Sequence, residues 1–554
     1  MKTVKISKQT VSTAALAAVL VFFIICPLAM IFIRSVVTDG KLDITSFVRV
    51  LTAEGNLRMI ANSLLLALAV VVLSTLIAFP LAYILTKTKL GRMKALDIIF
   101  LIPFMTPPYI ASMGWILFMQ KKGLLQQLFP SAAGSENWFF SFGGLTLVMS
   151  LHVFPFLLTI LKNAILNIPS SLDDAASVFG ASFATRIRKV FLPLLSGNYA
   201  IGALLVFVKT LSEYGTPSTL GHRIGYDVFT TEIHRYATVY PIDFGSSATL
   251  ASLLVTICLC LWLFQNWITA HHTYNLVGGK GVKVKENSSN AIVMTVSVVF
   301  VAVVILLAIV VPYFSIISTS LIKLRGYGLK RGNFTFEHYI NLFTENRKGI
   351  SALLNSLFLS VTSATIASVI GTLVVVCVRR TKSKAGKALE AVALLPEMLP
   401  SIVLVIGLML FWNGIYKVLP VYNTIYILVI AYTVLFLPYT VQYVTSSFMQ
   451  ISPSLPEAGR VFGADEGYVF RHITLPLIMK GIVSGWMMTF IIAFRELVTA
   501  SLIAPPNTLV VSTYIVREFE QGSVSTGMAM AVICVLFTTT SLLILNTVMN
   551  RKKN

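Results

Sequence analysis

Charged side chains are scarce in this chain: Asp, Glu, Lys and Arg together make up 12% of its 554 residues. Soluble domains carry about 25% of such residues, so the composition excludes an ordinary soluble protein. Hydrophobic residues account for 56% of the chain, and the mean hydropathy is +0.83. The composition therefore predicts an integral membrane protein, with the lipid bilayer as its surroundings.

Cysteine is also rare, and the residue patterns of several kinds of chemistry are missing. The five cysteines form no C-x-x-C pair and no Cys/His cluster with metal-ligand spacing, which predicts no metal site. The phosphate-binding pattern G-x4-G-K-[ST] does not occur. No combination of nucleophile, base and orienting group stands out. We therefore predict no catalytic residues and no cofactor, and we expect that any ATP hydrolysis takes place on a separate subunit.

Acidic residues are few, 22 against 43 Lys and Arg, and the formal charge is +21. A nucleic-acid partner would explain such a charge, but the positions of the cations argue against it. The main basic clusters all fall on one side of the membrane if the apolar spans alternate in direction, as the positive-inside rule describes. This distribution predicts that both termini are cytoplasmic. The clusters lie near residues 2–8, 87–94, 186–189, 280–285, 379–387, 460–471 and 551–553.

Long apolar runs are abundant, and each is long enough to cross about 30 Å of hydrocarbon as a helix. Prolines are frequent in the third and fourth runs of each half, where they predict kinks. The sequence thus predicts an all-α membrane protein with about twelve spans. They lie near residues 12–37, 59–86, 95–119, 143–166, 195–217, 244–270, 292–320, 352–378, 388–412, 423–447, 479–503 and 525–549.

The two halves of the chain repeat each other. Asn62-Ser63-Leu64 returns 293 residues later as Asn355-Ser356-Leu357, and from Pro155 and Pro438 onward the offset is 283. Six spans bring each copy back to the same side, so the two repeats are parallel. We predict a first repeat over residues 1–276, a cytoplasmic linker over 277–290 and a second repeat over 291–554.

One polar stretch occurs in both repeats with identical spacing, at residues 171–193 and 454–476. Each copy begins with S-x-x-[DE], the spacing of a capping box, formed by Ser171 with Asp174 and by Ser454 with Glu457. A glycine follows an apolar pair in each copy and predicts a sharp corner, because glycine reaches positive φ without a Cβ clash. Each copy ends in Leu-Pro, which suits the first turn of the next helix.

These stretches resemble the EAA loop of ABC-importer permeases. The resemblance implies that an ATP-binding subunit dimer docks on these loops and that an extracytoplasmic solute-binding protein delivers the solute. The residues that it implicates in ATPase coupling are Asp174, Ala175, Ala176, Val178, Phe179, Gly180, Glu457, Ala458, Gly459, Val461, Phe462 and Gly463.

The fused arrangement of two six-span units looks like the two-domain permeases of the ferric-iron importer family, in a bacterial inner membrane. The stretches 214–217 and 225–233 look closest to the iron and 2-aminoethylphosphonate branches. Ferric iron is therefore the expected solute, with 2-aminoethylphosphonate, thiamine or a polyamine as alternatives. No cluster of Tyr, His or carboxylate groups that would hold a hard cation is visible in the sequence. An ion-coupled secondary transporter is an alternative of another class.

Two carboxylates lie in equivalent positions just beyond the EAA-like loops, Glu213 and Glu496, with Tyr214 and Arg495 beside them. Charged groups inside a membrane usually face a bundle interior and have a function. These four residues are candidates for the translocation pathway. The alternative is structural: Glu496 and Arg495 would pair with their neighbours near the outer membrane surface.

Overall fold

The computed structural model describes residues 8–38, 40–169, 172, 175–176, 178–272, 291–381 and 384–550. Almost all of these residues are helical, which confirms the predicted all-α class. The longer helices are Lys8–Leu20, Cys26–Val36, Glu54–Lys87, Pro108–Met119, Phe142–Leu166, Leu192–Ser212, Phe229–Thr238, Phe244–His272, Ala291–Ile305, Val311–Leu321, Arg347–Thr381, Lys384–Met398, Ser401–Gly414, Ile425–Phe448, Leu475–Phe494, Val511–Glu520 and Val524–Asn550.

The remaining elements are short. The strands Val37–Thr38 and Lys41–Leu42 form an antiparallel pair. The short α-helices are Ile44–Thr52, Lys94–Ile99, Ile102–Met105, Leu124–Leu128, Ser135–Phe139, Phe183–Arg186, Glu337–Thr344, Ser454–Val461, Glu466–Val469 and Val498–Ile503. Single turns of π-helix occur at Val21–Ile25, Ile187–Phe191, Pro217–Gly221, Leu306–Val310 and Phe470–Thr474, and 3₁₀ turns at Lys89–Arg92, Pro130–Ala132 and Arg325–Tyr327.

Ten helices in the described part of the chain are long and apolar enough to cross a membrane, and some of them consist of adjoining segments. The number of spans rises to twelve if two pairs of bent helices are each counted as one span. The bent pairs are the third predicted span of each repeat. The helices Lys94–Met105 and Pro108–Met119 meet at 91°, and Lys384–Met398 and Ser401–Gly414 meet at 110°. Both breaks fall at prolines, because proline lacks the N–H that continues a helix. The predicted fifth and eleventh spans, 195–217 and 479–503, were too long, since their helices end at Ser212 and Phe494.

The chain forms two compact units that do not coincide with the two sequence repeats. Unit 1 contains residues 1–51, 233–255 and 336–554, and unit 2 contains residues 52–232 and 256–335. The first span of each repeat thus belongs to the unit that holds most of the other repeat. The linker predicted at 277–290 lies outside the described residues.

In unit 1, the first span packs on a helix of the second repeat. Cys26–Val36 follows a π-helical turn and lies against Ser401–Gly414. The contact is close at Gly407, where an added Cβ would lie 2.6 Å from the Pro27 carbonyl oxygen. Small residues allow such close approach of helix backbones in membranes.

Unit 2 contains the corresponding contact with the repeats exchanged. Val311–Leu321, also preceded by a π-helical turn, lies against Pro108–Met119. A Cβ on Gly114 would lie 2.7 Å from the Pro312 carbonyl oxygen. Gly114 and Gly407 are 293 residues apart, so the internal duplication extends to the contact on which each first span depends.

The second, fourth and fifth spans of each repeat form the rest of its core. In unit 2, Phe142–Leu166 packs against Glu54–Lys87 and Leu192–Ser212. In unit 1, Ile425–Phe448 packs against Arg347–Thr381 and Leu475–Phe494. The fifth spans start from the two EAA-like loops, so each loop is joined directly to this core.

Candidate functional site: two coupling loops and the helix ends beyond them

The second EAA-like loop contains a short helix that ends at a glycine corner. The helix Ser454–Val461 stops before Gly463, whose φ is +84°. The Ala464 N–H donates to the Gly459 carbonyl at 3.1 Å, and the Gly463 N–H donates to the Arg460 carbonyl at 3.0 Å. These two bonds are those of a Schellman motif, in which a left-handed glycine terminates a helix. The predicted sharp corner is therefore present.

The first EAA-like loop has the same corner. Gly180 has φ +75°. The Ala181 N–H donates to the Ala176 carbonyl at 2.9 Å, and the Phe179 N–H donates to the Ala175 carbonyl at 3.0 Å. Of the residues predicted in this loop, Ser171 and Asp174 lie outside the described residues. The two corners thus share their spacing in sequence and the hydrogen bond from the residue after the glycine to the carbonyl five residues earlier.

Immediately before each corner, two large apolar side chains project into solvent. Val178 and Phe179 are 84% and 89% exposed, and Val461 and Phe462 are 84% and 90% exposed. Isolated apolar residues on a surface need no explanation, but the same adjacent pair on both loops, almost fully exposed, indicates a surface meant for a partner.

The capping box predicted for the second loop is not formed. The helix starts at Ser454 after Pro453, and no side chain caps its first turn. Glu457 instead lies within the first turn, where a carboxylate interacts favourably with the helix dipole. The S-x-x-E spacing led to a wrong prediction of a capping box. Pro453 has helical φ and ψ and takes the N-cap position that Ser454 was expected to fill.

Caps do occur at the start of the next helix in each loop, and the sequence reasoning missed them. The Tyr468 N–H donates to Asp465 Oδ1 at 3.0 Å, and the Thr185 N–H donates to Ser182 Oγ at 3.3 Å. Ser182 and Asp465 are equivalent positions 283 residues apart. Ser or Asp just after the corner glycine was the available signal, since both residue types are preferred at N-caps.

The second short helix of each loop continues without interruption into the fifth span. Phe183–Arg186 passes through the π turn Ile187–Phe191 into Leu192–Ser212. Glu466–Val469 passes through Phe470–Thr474 into Leu475–Phe494. The predicted prolines lie in the first turn of both spans. A continuous helix therefore joins each loop to its fifth span.

At the far end of the fifth spans, Glu213 and Glu496 occupy equivalent places. The Thr216 N–H donates to both carboxylate oxygens of Glu213, at 3.0 and 3.1 Å. The Thr499 N–H donates to Glu496 Oε2 at 2.9 Å. Each carboxylate therefore binds the backbone three residues on, at the start of the next helical segment. Such bonds satisfy a free N–H of a helix start and are strengthened by the negative charge.

The backbone at these two glutamates is held by a second matched set of bonds. The Thr230 hydroxyl donates to the Glu213 carbonyl at 2.7 Å, and the Ser512 hydroxyl donates to the Glu496 carbonyl at 2.5 Å. The stretch 225–233, which the sequence analysis named, thus contacts the backbone of Glu213 through Thr230. In both units the C-terminal end of the fifth span is hydrogen-bonded to the segment that precedes the sixth span.

The repeated Asn-Ser pair of the second span anchors that same segment. Ser63 Oγ accepts from the Phe229 N–H and Ser356 Oγ from the Val511 N–H, both at 2.8 Å. The Asn62 and Asn355 amides donate to the Asp227 and Leu509 carbonyls. The sequence showed the repetition of this pair but not its purpose, because its partners lie more than 150 residues away.

Tyr214 and Arg495, the other two candidates, are half-buried next to the two glutamates. The Tyr214 carbonyl accepts from the Ser218 N–H at 2.9 Å. Arg495 lies within electrostatic reach of Tyr439 on the fourth span of the second repeat. The structure therefore groups Arg495 with side chains that the sequence did not connect to it.

We predict that the double substitution of Glu213→Gln and Glu496→Gln slows solute transport by at least about tenfold while the protein still folds. Glutamine keeps an oxygen that can accept the Thr216 and Thr499 N–H bonds but loses the charge, so each helix start loses about 1 kcal/mol. Transport in vesicles, compared with the thermal midpoint in detergent, measures the two effects. Glu345→Gln, at an exposed carboxylate, is the control. Loss of all folded protein would instead show that the glutamates are purely structural.

The family model described as "Binding-protein-dependent transport system inner membrane component" matches residues 78–271 and 365–554. These two matches cover more than half of the chain, so the chain belongs to this family, and it contains the family's domain twice. It is a fused, two-domain permease of the ABC-importer type. This membership confirms the predicted class and rules against an ion-coupled secondary transporter.

Among individual proteins, the chain is similar to the ferric transport system permease protein FbpB of Actinobacillus pleuropneumoniae, with 25% identity over 92% of this chain and 73% of the relative. It is 23% identical to the Fe(3+)-transport system permease protein FbpB 2 of Haemophilus influenzae, over 88% of this chain and 89% of the relative. The spermidine/putrescine permease PotC of H. influenzae is 25% identical over 44% of this chain and 92% of its own length. These relatives are permease subunits, which are not themselves enzymes.

Proposed function

We propose that this chain forms the membrane passage of an importer for ferric iron, driven by a separate pair of ATP-binding subunits and supplied by an extracytoplasmic binding protein. The observation that carries the choice of iron is the near full-length similarity to ferric permeases with the same fused architecture. Similarity to PotC covers one half only, which makes a polyamine the weaker choice.

The coupling loops are the proposed docking sites of the ATP-binding subunits. Val178 and Phe179, with Val461 and Phe462, would insert into a groove on each subunit, since apolar side chains so exposed gain most from burial by a partner. Gly180 and Gly463 set the angle of that contact. Ala175, Ala176 and Ala458 are small enough to let the short helix pack closely against its partner. Gly459 instead allows the short helix to pack on the same loop, since an added Cβ would lie 2.8 Å from Ile473 Cδ1. Asp174 and Glu457 would favour the start of the helix.

Force would then pass from each loop into the fifth span. When the ATP-binding subunits close, the short helices move, and the continuous helices from Phe183 to Ser212 and from Glu466 to Phe494 move with them. Glu213, Tyr214, Arg495 and Glu496 lie at the far ends of these helices, so we assign them to the pathway. Alternating exposure of the passage to the two sides of the membrane follows from this lever arrangement.

The proposed orientation has both termini and both coupling loops in the cytoplasm of a bacterial cell. Its support is the positive-inside distribution of Lys and Arg, which places the basic loops with the ATP-binding subunits. The acceptor side for the binding protein is then the opposite face.

The solute is tested by uptake measurements in cells that lack only this gene. We expect loss of radioactive iron uptake, restored by the wild-type gene, with normal uptake of 2-aminoethylphosphonate, thiamine and putrescine. Iron uptake at the normal rate together with a defect for one of the organic solutes would contradict iron and leave the importer class intact.

A further inference from the structure

A carboxylate lies exposed in the middle of a predicted membrane span of unit 1. Glu397 is next to the last residue of the helix Lys384–Met398, just before the 110° break. The apolar part of this helix starts near Ala388, so at 1.5 Å per residue Glu397 lies roughly 14 Å further along the helix axis. A charge exposed to lipid inside a span is costly, which favours a water-filled passage beside it.

Two other oxygen-bearing side chains lie near this carboxylate. The Gln442 amide donates a hydrogen bond to Glu397 Oε2. Tyr439, one turn earlier on the same helix as Gln442, lies within electrostatic reach of Glu397, of Tyr443 and of Arg495. Gln442 is exposed, and the two tyrosines are half-exposed. All these residues belong to unit 1 and surround the break of the third span.

The first repeat has neither the carboxylate nor the phenol at the equivalent positions, even though the scaffold is duplicated, and Thr159 stands in the place of Gln442. The Phe104 and Phe156 rings lie 4.7 Å apart, and the Lys209 ammonium lies 5.9 Å from the Phe156 centroid. The equivalents in the second repeat, by the offsets of 293 and 283, are Glu397, Tyr439 and Ile492. Because one repeat folds with an aromatic pair here, the bent span does not need oxygen atoms for its stability. The oxygens of the second repeat therefore call for a functional explanation.

We propose that Glu397, Gln442 and Tyr439 form a transit site for a hard metal cation as it passes through the membrane. This inference rests on the proposed function and names the residues that meet its cargo. A carboxylate and a phenol are oxygen donors, which hard cations prefer. The Gln442 amide offers its carbonyl oxygen only after the side-chain amide rotates, since its N–H now donates to Glu397. The described residues contain no group of three or more His, Cys, Asp or Glu side chains able to hold a metal. A single carboxylate, with the Arg495 cation near Tyr439, binds weakly, as a site that must release its ion requires.

The sequence could not reveal this site, because Glu397 and Gln442 are 45 residues apart and lie in different spans. An isolated glutamate beside Pro396 is visible in the sequence, but its partners become visible only when the bent third span meets the fourth. The expectation that the chain lacks groups able to hold a hard cation tightly is compatible with this site, which has a single carboxylate.

Terbium provides a direct test, because a bound Tb³⁺ ion emits light when an adjacent tyrosine is excited. The purified full chain in detergent is titrated with Tb³⁺ in a mildly acidic buffer, and the tyrosine-sensitised emission is recorded. We expect Glu397→Gln to weaken the apparent affinity by at least about tenfold, or ~1.4 kcal/mol. Tyr439→Phe should reduce the emission. Glu390→Gln is the matched control, since Glu390 lies on the same helix but 3.5 Å from Arg379.

Competing ions identify the chemical class of the ligand. Displacement of Tb³⁺ by Ga³⁺ supports a site for hard trivalent metals, whereas displacement by putrescine and not by Ga³⁺ overturns it. Equal affinities for wild type, Glu397→Gln and Glu390→Gln would overturn the proposal as well. The readout is binding rather than uptake, so a failure here leaves the iron-uptake experiment to judge the proposed function separately.

Discussion

Replacing Gly180 and Gly463 together with valine is expected to abolish solute transport while membrane insertion and thermal stability stay close to those of the wild type. Both glycines have φ in the left-handed region, at +75° and +84°. This conformation costs an L-residue about 1–2 kcal/mol, and more when the side chain is β-branched. An added Cβ would meet no atom within 4 Å at either site. The defect should therefore come from the backbone of the corner alone.

The change in backbone structure is local, but we expect it to impair the coupling of ATP hydrolysis to solute transport. If the corner relaxes to negative φ, the Schellman hydrogen bonds are lost, and the exposed pair before each glycine points in a new direction. The measurement is ATP hydrolysis stimulated by loaded binding protein, together with solute uptake, in the complex reassembled in vesicles. Asparagine at both positions is the matched control, because it tolerates left-handed φ and should retain most activity. Transport at the wild-type rate by the double valine variant would show that these loops are not the coupling elements.

The repeated corners were predictable from the sequence because the responsible interactions are local. A glycine after a short apolar pair, followed by Ser or Asp, specifies a helix end and the next helix start within five residues. One prediction from local sequence was wrong. Ser454 and Glu457 have the spacing of a capping box, but Pro453 takes the N-cap position. Long apolar runs predicted the membrane spans, and prolines predicted the breaks in the third span of each repeat.

The exchange of the first spans between the units was not predictable in the same way. A uniformly apolar helix such as Ala291–Ile305 has no polar face that would indicate its neighbour, and order in the sequence suggests the wrong one. The roles of Ser63, Ser356 and the paired glutamates also depend on partners that the fold brings together. Internal duplication was the strongest available signal, because a residue that occurs in both repeats has a structural or functional role common to both. Glu397 is the opposite case, since a residue that occurs in one repeat indicates a role specific to that repeat.

The exchanged contact leads to a second expectation with a large effect: Gly407→Leu should prevent assembly of unit 1, and Gly407→Ala should lower the thermal midpoint of the purified chain by several degrees. The new Cβ would lie 2.6 Å from the Pro27 carbonyl oxygen, and Pro27 cannot give way by rotating a side chain. Overpacking of this kind typically costs 1–3 kcal/mol for a small group and more for a large one.

Gly414→Ala is the matched control for this contact, because it lies on the same helix and its added Cβ would meet only the end of the flexible Met30 side chain, at 3.5 Å. The internal duplication supplies an independent repetition of the test in unit 2. There, a Cβ on Gly114 would lie 2.7 Å from the Pro312 carbonyl oxygen, so Gly114→Ala should lower the thermal midpoint by a similar amount. The midpoints are measured in detergent on the full chain. If Gly407→Ala and Gly414→Ala are equally stable, the first span does not depend on its contact with Ser401–Gly414. Such a result would leave the close approach of Gly407 to Pro27 without the stabilising role assigned to it.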